Sequence, residues 1–358
     1  MKKTVLFCVA ILMSSLVFSQ EKGQWSVEKA NKWYKKQAWI LGCNYVPSTA
    51  VNDVEMWQAE TFDPATIDRE LGWAKKWGIN SVRVFLNYVV WEADAEGYIK
   101  RFEQFLGIAA KHGISVMPIL FDDCNFSGGI ATVGKQPEPE PCVLLGEWVS
   151  SPPRALRDDI ASFPKLKAYV QGMVKPFRKD KRIIAWDLYN EPYNNFNFEP
   201  QGETHPLMEQ TFVWVRELKP LQPLTVCAWA SFDHPMTKRM LQLSDVVSFH
   251  GYDAKKGMEN KIKICSEYGR PIICTEWMSR PGSPAASILP VLKEKNVGGY
   301  LWGLVNGRTQ ANFEWGSTSA KPKGEPWKCD LMHNDGTSYD PAEFELFKKL
   351  SERKNKLN

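Results

Sequence analysis

Two glutamates stand where strands can bring carboxylates together. Glu191 closes the run Ala185-Trp186-Asp187-Leu188-Tyr189-Asn190-Glu191-Pro192, and Glu276 closes Pro271-Ile272-Ile273-Cys274-Thr275-Glu276-Trp277. Both runs are short and largely apolar, as buried strands are, so each carboxylate falls at a strand's C-terminal end. Paired carboxylates are the apparatus of glycosidic bond hydrolysis: one protonates the leaving oxygen, the other attacks the anomeric carbon or activates water. A separation of about 5–5.5 Å makes the second group a nucleophile and the reaction retaining, whereas roughly 6.5–9.5 Å leaves room for water and gives inversion. A strand-end glutamate taken alone is more often a helix cap or half of an ion pair. Three features around Glu191 weigh against that reading. Asn190 sets an amide beside the carboxylate, where it can bond a sugar hydroxyl, and Pro192 stops the strand ladder. Trp186 and Tyr189 add aromatic bulk, although strand alternation turns one or both away.

The chemistry sets requirements on each group. A proton donor at neutral pH needs a pKa raised by burial and by its neighbouring carboxylate. Once the partner is esterified that repulsion ends, and the same group serves as base toward water. The nucleophile needs donors that keep it ionised and aimed.

The elements that must position these groups are legible as alternating patterns. Strands are predicted at 40–45, 81–86, 115–121, 183–189, 224–230, 246–250, 271–275 and 299–304. Amphipathic helical patterns lie between them, among them 67–77, 98–110, 166–177, 208–218 and 258–268. Asp63-Pro64 supplies a cap and first turn, a further helix at 26–36 precedes the first strand, and Asp340-Pro341-Ala342-Glu343 opens the last helix in the manner of a capping box. Eight strand–helix units in series argue for a parallel sheet, and eight close a (β/α)₈ barrel. A doubly wound sheet is the alternative, but the glycine-rich phosphate loop that would accompany it is missing after the first strand. In the barrel, Glu191 ends the fourth strand and Glu276 the seventh, facing each other across the mouth.

Two connections are long. Residues 122–163 carry Gln136-Pro137-Glu138-Pro139-Glu140-Pro141, which cannot be helical, and 307–339 are rich in Gly, Lys, Ser and Pro. Both leave C-terminal strand ends, the face on which barrel enzymes build their sites, and long loops there are more often functional than surface elaboration.

Residues 1–20 read as a signal peptide: Lys2 and Lys3 precede an apolar run from Val5 to Val17, and Ser19 suits cleavage. The run is too short for a membrane span, so 21–358 is expected to be one exported catalytic domain, secreted or periplasmic, with no insertion into the membrane. The formal charge of +4 falls to about +2 without the leader, too near neutrality to argue for nucleic acid or an anionic surface. Cys43, Cys227 and Cys274 lie in apolar runs and read as core. Cys124 and Cys142 flank a long loop and are candidates for a disulfide in an oxidising compartment. No cysteine and histidine spacing fits a zinc site.

These motifs together resemble the clan A glycoside hydrolases, most nearly family 5, the cellulase and mannanase family. The resemblance covers most of 21–358 and is strongest at the fourth and seventh strands. It implies Glu191 as acid/base and Glu276 as nucleophile. Arg83, in Val82-Arg83-Val84, matches the family's arginine near the nucleophile, and an inward arginine is costly unless paired. Its competing reading is an ion pair elsewhere. Phe249-His250-Gly251-Tyr252 resembles the family's His-x-Tyr, with Tyr252 donating to Glu276 and His250 binding a hydroxyl or orienting Glu191; a core histidine is the competing reading. Trp302, in Tyr300-Leu301-Trp302-Gly303, resembles the tryptophan that floors the catalytic subsite. Fifteen tryptophans exceed what packing needs and suit sugar stacking. Trp33, Trp73, Trp77 and Trp214 sit in helical patterns and read as packing; Trp57, Trp91, Trp148, Trp229, Trp277, Trp315 and Trp327 are weaker subsite candidates. One departure stands out: family members often carry a histidine near the end of the third strand, where this chain has Phe121-Asp122-Asp123-Cys124-Asn125. The acidic pair either binds hydroxyls directly or marks a neighbouring family.

The expectation is a retaining β-glycosidase acting on a polysaccharide or its oligosaccharides, with β-mannan or β-glucan favoured by the resemblance. It should need no metal or organic cofactor, since two carboxylates suffice. An exo-acting glycosidase or a transglycosidase would share these carboxylates, and a barrel that binds carbohydrate without cleaving it is the alternative from another class. Loops walling one end of the cleft would favour exo action, an open groove endo action. Oligomeric state is not legible here.

Overall fold

The computed structural model describes residues 20–194 and 205–352. Nine parallel strands, β1 (Leu41–Asn44), β2 (Ser81–Phe85), β3 (Ser115–Ile119), β4 (Trp186–Asp187), β5 (Leu224–Thr225), β6 (Cys227–Ala228), β7 (Val247–Gly251), β8 (Ile272–Trp277) and β9 (Gly298–Leu301), form one sheet. Its order is β5-β4-β3-β2-β1-β9-β8-β7-β6. The two ends, β5 and β6, are separated only by Val226, whose N–H leaves the ladder to donate to Ser244 Oγ at 3.2 Å. They are halves of one interrupted strand, paired with β4 on one side and β7 on the other, so the chain closes the sheet into a barrel. Eight barrel positions result, as the pattern predicts. Nearly every strand residue is buried, the mark of a parallel sheet covered on both faces. The predicted fourth strand shrinks to two residues, but its bonding runs on, Ile184 N–H to Val116 O and Leu188 N–H to Thr225 O, both at 2.9 Å.

Helices pack outside. Pro64–Lys76 starts on Asp63, whose side chain accepts from Thr66 N–H, as expected. Pro341–Ser351 is capped by Asp340 at 2.8 Å, but Glu343 does not fold back to complete a box; it pairs with Arg280 at 2.7 Å. The first helix, Val27–Tyr34, brings Tyr34 into a cluster with Ile40, Met117, Ala185, Val246, Ile273 and Tyr300. That cluster draws on several strand positions and fills the barrel interior. Tyr300 fits because residue 42 is glycine: a Cβ there would lie 2.4 Å from its ring.

Of the expected leader, residues 1–20, all but the last lie outside the described residues; among those described, no helix is long and apolar enough to cross a membrane. The candidate disulfide is corrected: Cys124 and Cys142 are both free, because Cys124 is turned toward Glu191, with Sγ 3.3 Å from its Oε2.

Candidate active site

The barrel mouth is built from strand ends. After β4 the backbone turns sharply: Glu191 has φ 41° and Tyr193 φ 61°, left-handed conformations that cost a non-glycine residue about 1–3 kcal/mol. The Glu191 N–H, diverted from the ladder, points to Cys227 Sγ at 3.4 Å, and the Tyr193 N–H to Asp123 Oδ2 at 2.6 Å. This turn carries the Glu191 side chain over the mouth. On β7 and β8 a bulge does the equivalent. Phe249 aligns with Cys274, but His250 aligns with Glu276, so Thr275 is skipped and the two side chains come level.

Arg83 is fully buried and organises the floor. Its Nε donates to Asp187 at 2.9 Å, one terminal nitrogen to Asn44 at 2.8 Å and Glu276 at 2.9 Å, and the other to Asn190 at 2.7 Å. Asn190 in turn donates to Asp122 at 2.8 Å, which fixes its amide orientation. Tyr252 OH donates to the second oxygen of Glu276 at 2.9 Å. His250 Nδ1 lies 2.6 Å from Glu191 and 3.4 Å from Glu276, and Asn194 donates to Glu191. Oxygens of the two glutamates and the His250 nitrogen all lie within 4.8 Å of one another. Those three side chains have the atom types of a metal site. With Arg83 already bonded to Glu276 and His250 to Glu191, however, fixed cations and protons occupy the ligand positions, and the arrangement is one for sharing a proton.

The electrostatics follow from this crowding. Burial and the Glu191 charge push Glu276 up, against His250 and Arg83, which pull it down, leaving it above the usual glutamate value. Burial also raises Glu191, but the bond and charge of His250, with Asn194 and Cys124, outweigh burial and hold it below the usual value. This reverses the expected raised acid: the cause is a histidine lodged between the carboxylates. Burial opposes charge on His250, yet Cys227, Glu276 and Glu191 around it drive its pKa well above the ordinary imidazole value.

Arg83 lies beneath the cavity; Asn190, Glu191, His250, Tyr252, Glu276 and Trp302 all line it, in a volume of about 440 Å³. All seven residues singled out in the sequence are thus brought together. Of the weaker tryptophans, Trp148, Trp229 and Trp315 line the cavity. Trp57 and Trp277 are core, Trp91 packs on Tyr169, and Trp327 stacks on Tyr339. The acidic pair is corrected: neither aspartate reaches the cavity. Asp122 holds Asn190 and Trp148 Nε1 at 2.8 Å each, and burial pushes it up to about 7. Asp123 takes Tyr189 OH at 2.8 Å and Arg157 at 3.1 Å; burial opposes its charge, but His205 and Arg157 hold it low.

Sequence reasoning missed Asp187, Asn44, Cys124, Asn194, Ser279 and Lys328. A signal existed for the first two, a charged and an amide residue on otherwise apolar strands. None marked the loop residues.

The two long loops are laced together over one side of the mouth. Leu145 N–H donates to Thr309 O at 2.9 Å, Cys142 N–H to Gln310 Oε1 at 2.8 Å, and Gln310 Nε2 to Glu140 O at 2.7 Å. Arg308 pairs with Glu138 at 2.9 Å, and the rings of Phe126 and Trp315 meet at 4.8 Å. Behind them Phe85, Leu144, Leu145, Trp148 and Cys329 pack as an apolar wall against Trp302.

Comparison with known proteins agrees with this architecture. Residues 47–307 match the family model for cellulase (glycosyl hydrolase family 5). Similar solved structures include an endo-β-1,4-mannanase from Thermotoga petrophila, at 15% identity and TM-score 0.59 over 89% of this chain and 77% of that one. A GH5_18 protein from Streptomyces cattleya in complex with Manβ1-4GlcNAc has 14% identity and TM-score 0.61 over 88% and 81%. An exo-β-1,4-mannosidase from Opitutaceae bacterium strain TAV5 has 18% identity and TM-score 0.59 over 87% and 59%. No curated protein matches the chain in sequence.

Proposed function

The chain belongs to glycosyl hydrolase family 5, a family of glycoside hydrolases, and from that premise we propose that it is a retaining, exo-acting β-glycosidase that removes sugars from the ends of β-linked oligosaccharides, β-mannosides first among them. The observation that carries the retaining mechanism is the approach of Glu191 and Glu276 oxygens to within 4.8 Å, which fits the shorter of the two carboxylate spacings.

Glu276 attacks the anomeric carbon, held by Arg83 and Tyr252. Glu191 passes a proton from His250 to the leaving oxygen, and afterwards takes a proton from the water that releases the sugar. Asn190, fixed by Arg83 and Asp122, offers its amide to the sugar, and Trp302 supplies an apolar floor for a ring face. Exo action is favoured over endo by the laced loops, which wall one side of the mouth, and by a cavity of about 440 Å³, toward the small end of the roughly 300–1,000 Å³ usual for small-molecule sites. The mannoside preference draws on the mannan-active proteins among the similar structures, and the apolar N-terminal run supports export.

Hydrolysis of an aryl β-mannoside by the wild type and by Glu276→Ala, with the anomer of the first product followed by NMR, tests the assignment. Equal rates, or an inverted first product, would refute a nucleophilic Glu276. Steady release of monosaccharide from mannotriose supports exo action; random internal cleavage of mannan would overturn it.

A further inference from the structure

One part of the cavity wall has no role in the pair chemistry. Lys328, from the 307–339 loop, lines the cavity beside Ser279, the third residue beyond Glu276. Its side chain is only 9% exposed. An ammonium buried to that degree is expensive unless its donors are satisfied. Nζ donates to Ser279 Oγ at 3.0 Å and to Glu314 Oε2 at 3.1 Å. An ammonium has three donors, and no described residue takes the third. Its neighbour is equally incomplete: Glu314 Oε1 is buried without a hydrogen-bond partner among the described residues. The position is built, not incidental. Lys328 N–H donates to Asn312 O at 2.8 Å, Lys328 O accepts from Arg280 N–H at 3.0 Å, and Glu314 N–H donates to Lys323 O at 2.9 Å. Two lengths of the loop are thereby tied to each other and to the segment that follows β8.

We infer that Lys328, with Ser279 and Glu314, is a specificity-determining group that hydrogen-bonds a hydroxyl of the sugar whose bond is cleaved, and so reads the end of the chain. A sugar hydroxyl can accept the spare ammonium proton of Lys328, which lines the cavity with Ser279, while Glu314 behind them holds the ammonium in place. Glu314 balances the Lys328 charge, which suits a neutral sugar better than a uronic acid. Lys328 and Ser279 flank the ends of β8 and β9, beside Glu276 and Trp302, so the group stands on the walled side of the mouth.

The inference rests on the glycosidase reading, and the experiment separates the two. Aryl β-D-mannoside and its 3-, 4- and 6-deoxy forms, with the aryl β-D-glucoside series in parallel, are assayed on wild type and Lys328→Met. A site built to bond a hydroxyl discriminates strongly against its absence. The wild type should therefore lose at least about tenfold in kcat/KM on one deoxy form, and Lys328→Met should shrink that penalty to about threefold or less while leaving the others unchanged. Lys328→Arg, which keeps the charge and donors, should retain most of the discrimination. If Lys328→Met does not fold, the same comparison on Ser279→Ala, which frees a second donor of an intact ammonium, should change the penalty at the same hydroxyl. Unchanged penalties at every position in the folded variants would overturn the assignment. Wild-type protein that cleaves neither parent glycoside would instead sink the glycosidase reading.

Discussion

Replacing Arg83 with methionine would remove the cation on which the floor of the site is assembled. The guanidinium is fully buried and bonds Asp187, Asn44, Glu276 and Asn190. Methionine fills much of the volume, so the cost is chiefly that of stranding two buried carboxylates. Removing one partner of a buried ion pair costs about 3–5 kcal/mol, a large share of the roughly 5–15 kcal/mol that holds a domain folded. At about 2 °C per kcal/mol for a chain of this size, the melting midpoint should fall by about 6–10 °C. The sign of the pH dependence is fixed. Burial already raises Asp187 and Arg83 pulls it back, so without Arg83 its folded pKa rises further above the unfolded value. A raised carboxyl penalises the fold only above its unfolded pKa, so the loss should be small near pH 4 and grow as the pH rises toward the raised folded pKa.

A second substitution sharpens the test. Arg83→Met/Asp187→Asn removes one stranded charge and should recover about 1–3 kcal/mol. Activity should not follow, because Glu276 still lacks its donor; kcat should stay about 10²–10³-fold down, as when one preorganised donor is lost. Thermal denaturation across pH and steady-state kinetics on an aryl β-glycoside read both quantities. A single variant within 1 °C of wild type, or a double variant no more stable than the single, would refute the charge argument. Activity returning with stability would refute the role assigned to Arg83 beside Glu276.

Three further outcomes are expected. His250→Asn removes the group that lowers Glu191 and holds the site's extra proton; kcat should fall about 10²-fold and the alkaline limb of its pH profile should move to lower pH, an unmoved limb contradicting the shared proton. Tyr252→Phe deletes a donor that lowers Glu276, so the acidic limb of kcat/KM should move to higher pH with a loss of about 10–100-fold, and a shift the other way would count against a nucleophile held by Tyr252. Gly42→Ala would set a Cβ 2.4 Å from the Tyr300 ring and 2.9 Å from Ser81 O, costing about 1–3 kcal/mol by calorimetry while kcat/KM stays within about twofold, because the strain lies inside the barrel, away from the mouth.

The barrel was legible because its signals are local. Short apolar runs at 81–86 and 115–121, separated by helical periods with caps such as Asp63-Pro64, specify strand and helix independently of contacts. Glu191 and Glu276 were legible because strand ends on a barrel share one face, so counting units places them. What failed depended on contacts between distant segments. The break at Val226 comes from Ser244 taking its amide. The Asp122-Asp123 pair resembled a polar site, but strand geometry turns both toward Asn190, Trp148, Tyr189 and Arg157 instead of the cavity. Cys124 looked available for a disulfide until the turn after β4 brought Glu191 to it. Lys328 carries no motif; only the folding of its loop against Ser279 gives it a place.

The reversal at Glu191 bears most directly on mechanism. A raised pKa on the acid itself follows from two buried carboxylates alone. Here Arg83 pairs with Asp187 and Glu276 while Glu191 pairs with His250, so three carboxylates share one guanidinium and one imidazole, and the excess negative charge favours a proton on the imidazole. His250, 2.6 Å from Glu191 and 3.4 Å from Glu276, faces both carboxylates, and against burial their charge raises its pKa. Glu191 can therefore rest ionised and still deliver a proton across one short hydrogen bond as negative charge grows on the leaving oxygen. In the proposed mechanism, esterification of Glu276 would remove one negative charge from the cluster, weaken its hold on the extra proton and leave Glu191 as a base toward water. On the retaining mechanism proposed above, a histidine between two glutamates would perform the switch that a raised acid pKa performs where no such histidine intervenes, and the alkaline limb of the pH profile should report on His250 as much as on Glu191.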